Sequence, residues 1–228
     1  MGAPADFAAS GAVRFPAVFG HDDMAALGDE LDAVLLGRPG RRLTGGAWTS
    51  LLPALTGIAA GLIGETAFPV RVVAFDKTPE TNWAVGWHQD RTVAVQARVE
   101  AEGFGPWSTK DGVVHVSPPV EVLRSMVTLR LHIDPCDDDN APLKVARGTH
   151  RLGMVAADKA AEVAAAHQLL TCHGHAGDVW AYSTLILHAS DRSRSAGRRR
   201  VLQIDYAHQP LPGRLSGKVW TAAIQPNP

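Results

Sequence analysis

The sequence pattern changes near residue 69, and this change limits the possible folds more than any other feature. From there to residue 207 the sequence consists of short β-branched and aromatic runs separated by turn residues, at 69–75, 86–95, 112–116, 126–133, 142–146, 178–188 and 200–207. Many short strands at such spacing are typical of a β-sandwich or β-barrel. The run 126–133 alternates cleanly, so Thr128, Arg130 and His132 are predicted to share one face that lines something polar.

Apolar residues at helical spacing predict three helices. Residues 22–36 form an amphipathic segment behind Asp22 or Asp23, either of which can cap a helix, and residues 158–170 are rich in alanine. A third segment, 49–63, has helical character but is interrupted by one proline and two glycines. In a chain of 228 residues with 46% hydrophobic residues, we expect one domain over 1–228, with a helical N-terminal part to about residue 66 and a β core at about 67–210.

Composition limits the class of partner. The formal net charge of −1 gives no general attraction to phosphate backbones or anionic lipid, so we expect neither nucleic acid nor a membrane as partner. The first residues lack the basic-then-apolar pattern of a secretory signal, and no stretch approaches about 18 uninterrupted apolar residues, so we expect a cytoplasmic protein. Cys136 and Cys172 are interpreted as ordinary partly buried thiols, with a disulfide as the alternative, and the sequence defines no oligomeric state.

Three pairs of the form His-x-Asp draw attention, because residues two apart on a strand point to one face and can present an imidazole and a carboxylate to one ion. Such pairs arise easily by chance, so position must decide among them. The pairs are His21/Asp23, His88/Asp90 and His132/Asp134. The first lies at a helix start, where capping explains the aspartate. The third lies at a strand end beside an acidic loop, where ordinary strand and turn roles suffice.

The pair His88/Asp90 differs because a second feature complements it far downstream. Residues 177–207 contain a Gly-Asp turn, a strand that ends in His188, a loop, and a strand that begins with arginines 198–200. Two histidines and one carboxylate form a facial triad, which leaves three adjacent metal positions open for a bidentate ligand and dioxygen. An arginine supplies a planar clamp for a distant carboxylate of that ligand. The pattern predicts a metal site at His88, Asp90 and His188.

The motifs around these residues resemble the phytanoyl-CoA dioxygenase-like family of iron and 2-oxoglutarate oxygenases. They are NWAVGWHQD at 82–90, NAPLKVARGTHRLG at 140–153 and GDVWAYSTLILHAS at 177–190, and the similarity covers about residues 69–207. Two positions depart from the family pattern. Ala141 stands where a glycine is usual, and Ala146-Arg147 replaces a proline-containing approach to Gly148. The departures concern the shape of that loop rather than the metal site.

The resemblance implies a role for each matching residue. The iron ligands are implied to be His88, Asp90 and His188, and the residues implied to bind 2-oxoglutarate are Arg199, Ser190 and Asn82. Among these, Ser190 assists the carboxylate bound by the arginine, and Asn82 lies near the keto-acid head.

The alternation of side chains along a strand supports Arg199, rather than Arg198 or Arg200, as the arginine that binds 2-oxoglutarate. If the last strand is regular, Arg199 shares a face with Val201 and Gln203, while Arg198 and Arg200 share the opposite face. Only one arginine of the adjacent pair 199 and 200 can then face the iron, and the other is expected to be solvated.

The same resemblance implies a mainly β fold, a double-stranded β-helix or jelly roll with flanking α-helices. It implies Fe(II), 2-oxoglutarate and O2 as cofactor and co-substrates, which oxidise a small-molecule substrate with release of succinate and carbon dioxide. Hydroxylation is the expected outcome. Asp90 argues against halogenation, because relatives that halogenate have a small residue at that ligand position. We favour an amino acid or natural-product intermediate as substrate, since the dispersed basic residues identify no cluster for the phosphates of coenzyme A.

Candidate substrate contacts are Trp83, Trp87, Trp107, Thr128 and Arg130, although the tryptophans also suit core positions. Three alternative functions are left open by the sequence. They are an acyl-CoA hydroxylase of the same family, a cupin-like metalloenzyme that does not use 2-oxoglutarate, and a non-catalytic jelly-roll binding protein. The last is disfavoured because a binding protein has no need of an open metal face.

Overall fold

The strands of the computed structural model form antiparallel sheets within residues 2–95, 97–110, 112–194 and 197–211, the part of the chain that the structure describes. A six-stranded sheet has the order β1 (Ala12–Phe15), β11 (Val179–Ser183), β8 (Met126–His132), β13 (Arg199–Ala207), β3 (Phe68–Lys77) and β2 (Gly40–Arg42). A four-stranded sheet has the order β10 (Leu169–Cys172), β9 (Leu143–Ala146), β12 (His188–Ser190) and β4 (Val85–His88). A three-stranded sheet consists of β5 (Val93–Val95), β7 (Val113–Val116) and β6 (Trp107–Lys110).

Alternation along the strands gives the six-stranded sheet an apolar face and a polar face. On the apolar face, Leu129 and Leu131 of β8 pack with Leu202 and Ile204 of β13. Two helices, α2 (His21–Leu35) and α3 (Leu52–Ile63), cover this face with their own buried leucines. Each buried leucine contributes about 1.5–3 kcal/mol. The opposite face carries the polar residues of the same strands, so the predicted alternation of 126–133 is confirmed.

The remaining helices are short. They are α1 (Ala3–Ser10), α4 (Val120–Arg124) and α5 (Ala160–Ala165), with 3-10 turns at Ala47–Leu51, Thr149–Leu152 and Ala157–Lys159. Helix α2 begins at His21 with Gly20 as its N-cap, so Asp22 and Asp23 lie within its first turn rather than before it. Asp23 still takes part in capping, because its carboxylate accepts the Gly20 N–H at 3.2 Å. The interrupted segment 49–63 begins as a 3-10 turn, and its proline lies in the first turn of α3, where the missing N–H costs nothing.

Three of the predicted elements have the wrong extent. The helix predicted at 158–170 ends as α5 at Ala165, and Leu169 and Leu170 instead pair with β9, because strand pairing overrides the helix propensity of the segment. The strand predicted at 178–188 breaks after Ser183, and its two parts join different sheets. The strand predicted at 86–95 is divided in the same way, with β4 in the four-stranded sheet and β5 in the three-stranded sheet.

The first 66 residues contribute more than helices. Strands β1 and β2 form the two edges of the six-stranded sheet, so the N-terminal part is continuous with the β core. Both cysteines are buried and free, so the thiol interpretation holds. Among the described residues, no helix is long and apolar enough to cross a membrane.

Candidate active site

The two predicted histidine ligands lie directly opposite each other on neighbouring strands. His88 ends β4 and His188 begins β12, and the antiparallel register pairs them, with ring centroids 4.2 Å apart. Asp90 follows two residues after His88, beyond the end of the strand. One ligand atom from each of the three residues lies within 4.8 Å of the others, and the described part of the chain contains no other group of this kind. Strand pairing therefore brings together residues separated by about a hundred positions.

Backbone carbonyls fix the ring orientation of both histidines. Nδ1 of His88 lies 2.8 Å from the Gly86 carbonyl oxygen, and Nδ1 of His188 lies 2.9 Å from that of Ile186. A carbonyl oxygen only accepts, so each Nδ1 carries the hydrogen and donates it. The lone pair of each ring is then on Nε2. Burial lowers the pKa of His188 to about 4, against the opposing effect of Asp90, so its ring is neutral near pH 7 and suited to bind a cation.

The carboxylate of the triad is supported by a buried ion pair. Arg71 on β3 pairs with Asp205 on β13, and its Nη2 lies 3.4 Å from Oδ2 of Asp90. Thr128 donates to Oδ1 of Asp205 at 3.0 Å. Burial acts to raise the pKa of Asp90, but Arg71 and the two histidines outweigh it and lower that pKa, so the carboxylate is ionised. Two imidazoles and one carboxylate with an open side fit a divalent iron ion.

The other end of the cavity is built around Arg199. This side chain is 2% exposed, and its Nε and Nη1 have no hydrogen-bond partner among the described residues. Burial, together with Arg130, lowers the pKa of Arg199 to about 10. Ser190, also in the wall, receives a hydrogen bond from Lys77 Nζ at 3.3 Å. A buried guanidinium with two unpaired N–H groups fits the far carboxylate of 2-oxoglutarate, and a cavity of about 140 Å³ joins it to the triad.

The neighbouring arginines face away from the cavity, as parity requires, but they are ion-paired rather than solvated. Arg198 lies 2.6 Å from carboxylate oxygens of both Asp76 and Asp32. Arg200 pairs with Asp134 at 2.8 Å and is only 16% exposed. The expectation of a solvated Arg200 is wrong, because carboxylates of α2 and of the loop after β8 lie within reach.

The other predicted site residues separate into two groups. Trp83 and Arg130 line the cavity. Asn82 does not, since its amide donates to the Ser193 carbonyl and accepts the Ser193 N–H, both at 2.8 Å.

The remaining three substrate candidates lie outside the cavity wall. Trp87 packs in the cluster of α5 and Leu187, and Trp107 packs in the core beside the three-stranded sheet. Thr128 is engaged with Asp205. These contacts give Trp87, Trp107 and Thr128 structural roles in packing and hydrogen bonding.

Several cavity residues were not identified from the sequence. They are Arg71, Val73, Phe75, Val85, Leu143, Tyr182, Ala189 and Gln203. Strand alternation could have identified four of them. Gln203 lies on the same face of its strand as Arg199, and the run 69–75 places Arg71, Val73 and Phe75 on one face. No local pattern predicts a cavity position for Tyr182, because that position depends on the pairing of β11 with β8.

Ala141, which stands where the family pattern usually has glycine, adopts a backbone conformation that favours glycine. The conformation is left-handed with φ 52°, which glycine takes more readily. Its carbonyl accepts the Ser190 hydroxyl at 3.3 Å. The loop therefore keeps a glycine-like shape beside the cavity.

His132, the histidine of the rejected third pair, is 1% exposed and lies apart from the triad. Neither ring nitrogen has a hydrogen-bond partner among the described residues. Burial, with help from Arg130 and Arg199, lowers its pKa to about 3. Its partner in the motif, Asp134, is occupied by Arg200.

We expect His132 to make the metal-free protein sensitive to acid. Its pKa is about 3 in the folded state and about 6.5 in the unfolded state. The unfolded state therefore binds the additional proton as the pH falls through this window, and stability is lost from about pH 6.5 downward. Between pH 6.5 and 5 the loss from this group is about 2 kcal/mol. Urea unfolding of wild type and His132→Leu at both pH values measures it, and equal pH dependence of the two proteins would contradict the expectation.

Comparison with known proteins decides the family. The family model described as phytanoyl-CoA dioxygenase matches residues 52–201. The chain belongs to the phytanoyl-CoA dioxygenase family. This is a family of iron and 2-oxoglutarate oxygenases, so the resemblance carried by the three sequence motifs is confirmed.

Individual relatives of this family member are distant. L-proline trans-4-hydroxylase of Streptomyces griseoviridis is 25% identical over 181 residues, which cover 68% of this chain and 60% of that enzyme. This chain therefore spans less than two thirds of the length of that relative.

Two solved structures share the fold. EctD from S. alaskensis with 2-oxoglutarate and 5-hydroxyectoine has a TM-score of 0.70 at 17% identity, covering 99% of this chain and 88% of that chain. EvdMO1 has a TM-score of 0.67 at 20% identity, covering 89% of this chain and 48% of that chain. The predicted jelly roll with flanking helices is confirmed.

Proposed function

We propose that this protein is an Fe(II)- and 2-oxoglutarate-dependent dioxygenase that hydroxylates a small molecule, an amino acid or natural-product intermediate, in the cytoplasm. The observation that carries the proposal is one cavity with two unlike ends. At one end the ligand atoms of His88, Asp90 and His188 converge, and at the other the buried guanidinium of Arg199 has unpaired N–H groups.

Each side chain has a defined task under this proposal. Nε2 of His88, Nε2 of His188 and the Asp90 carboxylate would hold iron(II), while Arg199 would bind the far carboxylate of 2-oxoglutarate. Bound iron, 2-oxoglutarate and O2 supply the oxidising equivalents, with release of succinate and carbon dioxide. The Arg71–Asp205 pair holds Asp90 in its ionised form and fixes its position. Val73, Val85 and Leu143 give the wall an apolar part that limits water.

A small substrate is supported by the size of the site and by family relatives. The cavity has a volume of about 140 Å³, and its wall includes the guanidinium groups of Arg71, Arg130 and Arg199. One relative in the family is a hydroxylase of L-proline by its name. The free cysteines are consistent with a reducing compartment such as the cytoplasm.

Anaerobic absorption spectroscopy tests the proposal. We expect iron(II)-loaded protein to develop a metal-to-ligand charge-transfer band only when 2-oxoglutarate is added. A cupin-like metalloenzyme or a pure binding protein would show no band that depends on 2-oxoglutarate. A screen of small metabolites for stimulated succinate formation would then identify the substrate class, and stimulation by acyl-CoA thioesters alone would contradict the small-molecule part.

Asp90→Gly should end hydroxylation, because Asp90 is the carboxylate of the only candidate ligand group in the described chain. The expected loss is to background in a substrate-dependent succinate assay. The exposed Asp158→Gly serves as a matched control and should retain wild-type turnover. Undiminished hydroxylation by Asp90→Gly would mean that another carboxylate serves as ligand.

A further inference from the structure

Arg130 is a second buried guanidinium on the floor of the same cavity. It lies on β8, is 6% exposed, and pairs in register with Gln203 of β13. Gln203 and Arg199 lie on one face of β13, so the two arginines converge on the cavity from neighbouring strands.

Like Arg199, Arg130 pairs with no carboxylate among the described residues. The partly buried Arg71 and Arg200, in contrast, each pair with an aspartate. Within the described residues, Arg130 donates through Nη1 to the neutral amide oxygen of Gln203 at 3.2 Å, its Nε has no partner, and its guanidinium lies 5.8 Å from the ring centre of Phe75. A buried charge without a counter-ion is costly, so the arrangement points to an anion that arrives with a ligand.

Positive charge accumulates at this end of the cavity. Among the described residues, Lys77 donates to three neutral oxygens, the backbone carbonyls of Trp83 and Asp191 and the hydroxyl of Ser190. Burial is the largest cause that lowers the pKa of Lys77 to about 8, and repulsion by Arg199 and Arg130 adds to it. At the metal end, by contrast, Arg71 is matched by Asp90 and Asp205. The excess of cations is therefore confined to the end where the far carboxylate of a keto diacid would lie.

We propose that Arg130 is a second guanidinium for the far carboxylate of 2-oxoglutarate, and that Gln203 positions it. The amide oxygen of Gln203 accepts from both Arg130 Nη1 and the Tyr182 hydroxyl, each at 3.2 Å, and so holds the guanidinium toward Arg199. Arg130 is then a co-substrate residue rather than a substrate contact. This inference rests on the proposed function, because it assumes that 2-oxoglutarate binds in this cavity.

Calorimetric binding to the nickel(II)-loaded protein, which avoids turnover, tests the inference. The probes are 2-oxoglutarate and 2-oxovalerate, which has the same keto-acid head and chain but no far carboxylate. We expect Arg130→Gln to weaken 2-oxoglutarate binding at least ~10-fold and to leave 2-oxovalerate binding unchanged, since a carboxylate contact is lost. Gln203→Met, which keeps the cation and removes its acceptor, should weaken 2-oxoglutarate binding a few-fold with the same selectivity. Arg124→Gln, at a 51% exposed arginine, is the control and should bind both ligands normally.

The outcomes separate this inference from the proposed function. If wild type binds no 2-oxoglutarate, the proposed function fails. If wild type binds it and both variants bind it equally well, only the role of Arg130 is overturned. Equal weakening of both keto acids would also overturn it, because that pattern reports general damage to the cavity. Unchanged 2-oxoglutarate affinity with a raised KM for the organic substrate would assign Arg130 to the substrate.

Discussion

His88→Ala and His188→Ala should each abolish turnover while leaving the fold intact. Each change removes one of three proposed ligands, and the remaining two cannot retain iron(II) well at working concentrations. Both histidines donate Nδ1–H to a backbone carbonyl, but His188 is the more deeply buried, so bound iron should fall further in His188→Ala. Iron content after gel filtration and succinate release measure the effect, and far-ultraviolet circular dichroism checks the fold.

His132→Ala is the control for this prediction. His132 belongs to another His-x-Asp pair and is also buried, but it lies outside the triad. We expect this variant to retain iron while its stability changes. If it loses iron as completely as His88→Ala, the wrong pair has been chosen, and wild-type iron affinity in either triad variant would refute the assignment.

Arg199→Ala should raise the apparent 2-oxoglutarate constant at least ~30-fold. Removing an arginine from a buried carboxylate contact costs about 2–5 kcal/mol, and about 2 kcal/mol corresponds to roughly 30-fold. Arg199 has the burial and the unpaired N–H groups that such a contact needs. Lysine at this position should be a poor substitute, because it keeps the charge and loses the two-pronged geometry. Titration of uncoupled succinate release with 2-oxoglutarate measures the constant.

Arg198→Ala and Arg200→Ala are matched controls at the two positions that flank Arg199. Both should change the 2-oxoglutarate constant at most a few-fold, because their guanidinium groups pair with aspartates on the other face. Their effect should appear in thermal unfolding instead, since each leaves a partly buried carboxylate without its partner. A dominant effect on 2-oxoglutarate at 198 or 200 would contradict the register of β13.

The sequence contains enough local information for the strands and for the metal pattern. Alternation in 126–133 predicts which residues face the core, and parity predicts that Arg199 faces opposite to Arg198 and Arg200. The phytanoyl-CoA dioxygenase motifs could be recognised because each of them is a short continuous run of residues. The triad role itself stays a prediction that the variants above will test.

What could not be predicted depends on contacts distant in sequence. Leu169 leaves the alanine-rich helix because β9 is available to pair with it. The Asn82 side chain is engaged by Ser193, a residue of a loop whose position no local sequence pattern predicts. Tyr182 and the ion-paired state of Arg200 likewise follow from how strands and α2 pack together.

The place of β4 at the edge of its sheet has a consequence for how the protein assembles. Among the described strands, β4 pairs on one side with β12 and has no partner on the other, and a register irregularity interrupts the pairing between His188 and Ser190. An ion bound by both His88 and His188 would cross-link β4 to β12. Filling the site should therefore slow hydrogen exchange of the β4 amides more than that of the six-stranded sheet. The two imidazoles come together only when β4 and β12 are paired, so we expect strand pairing to precede metal binding.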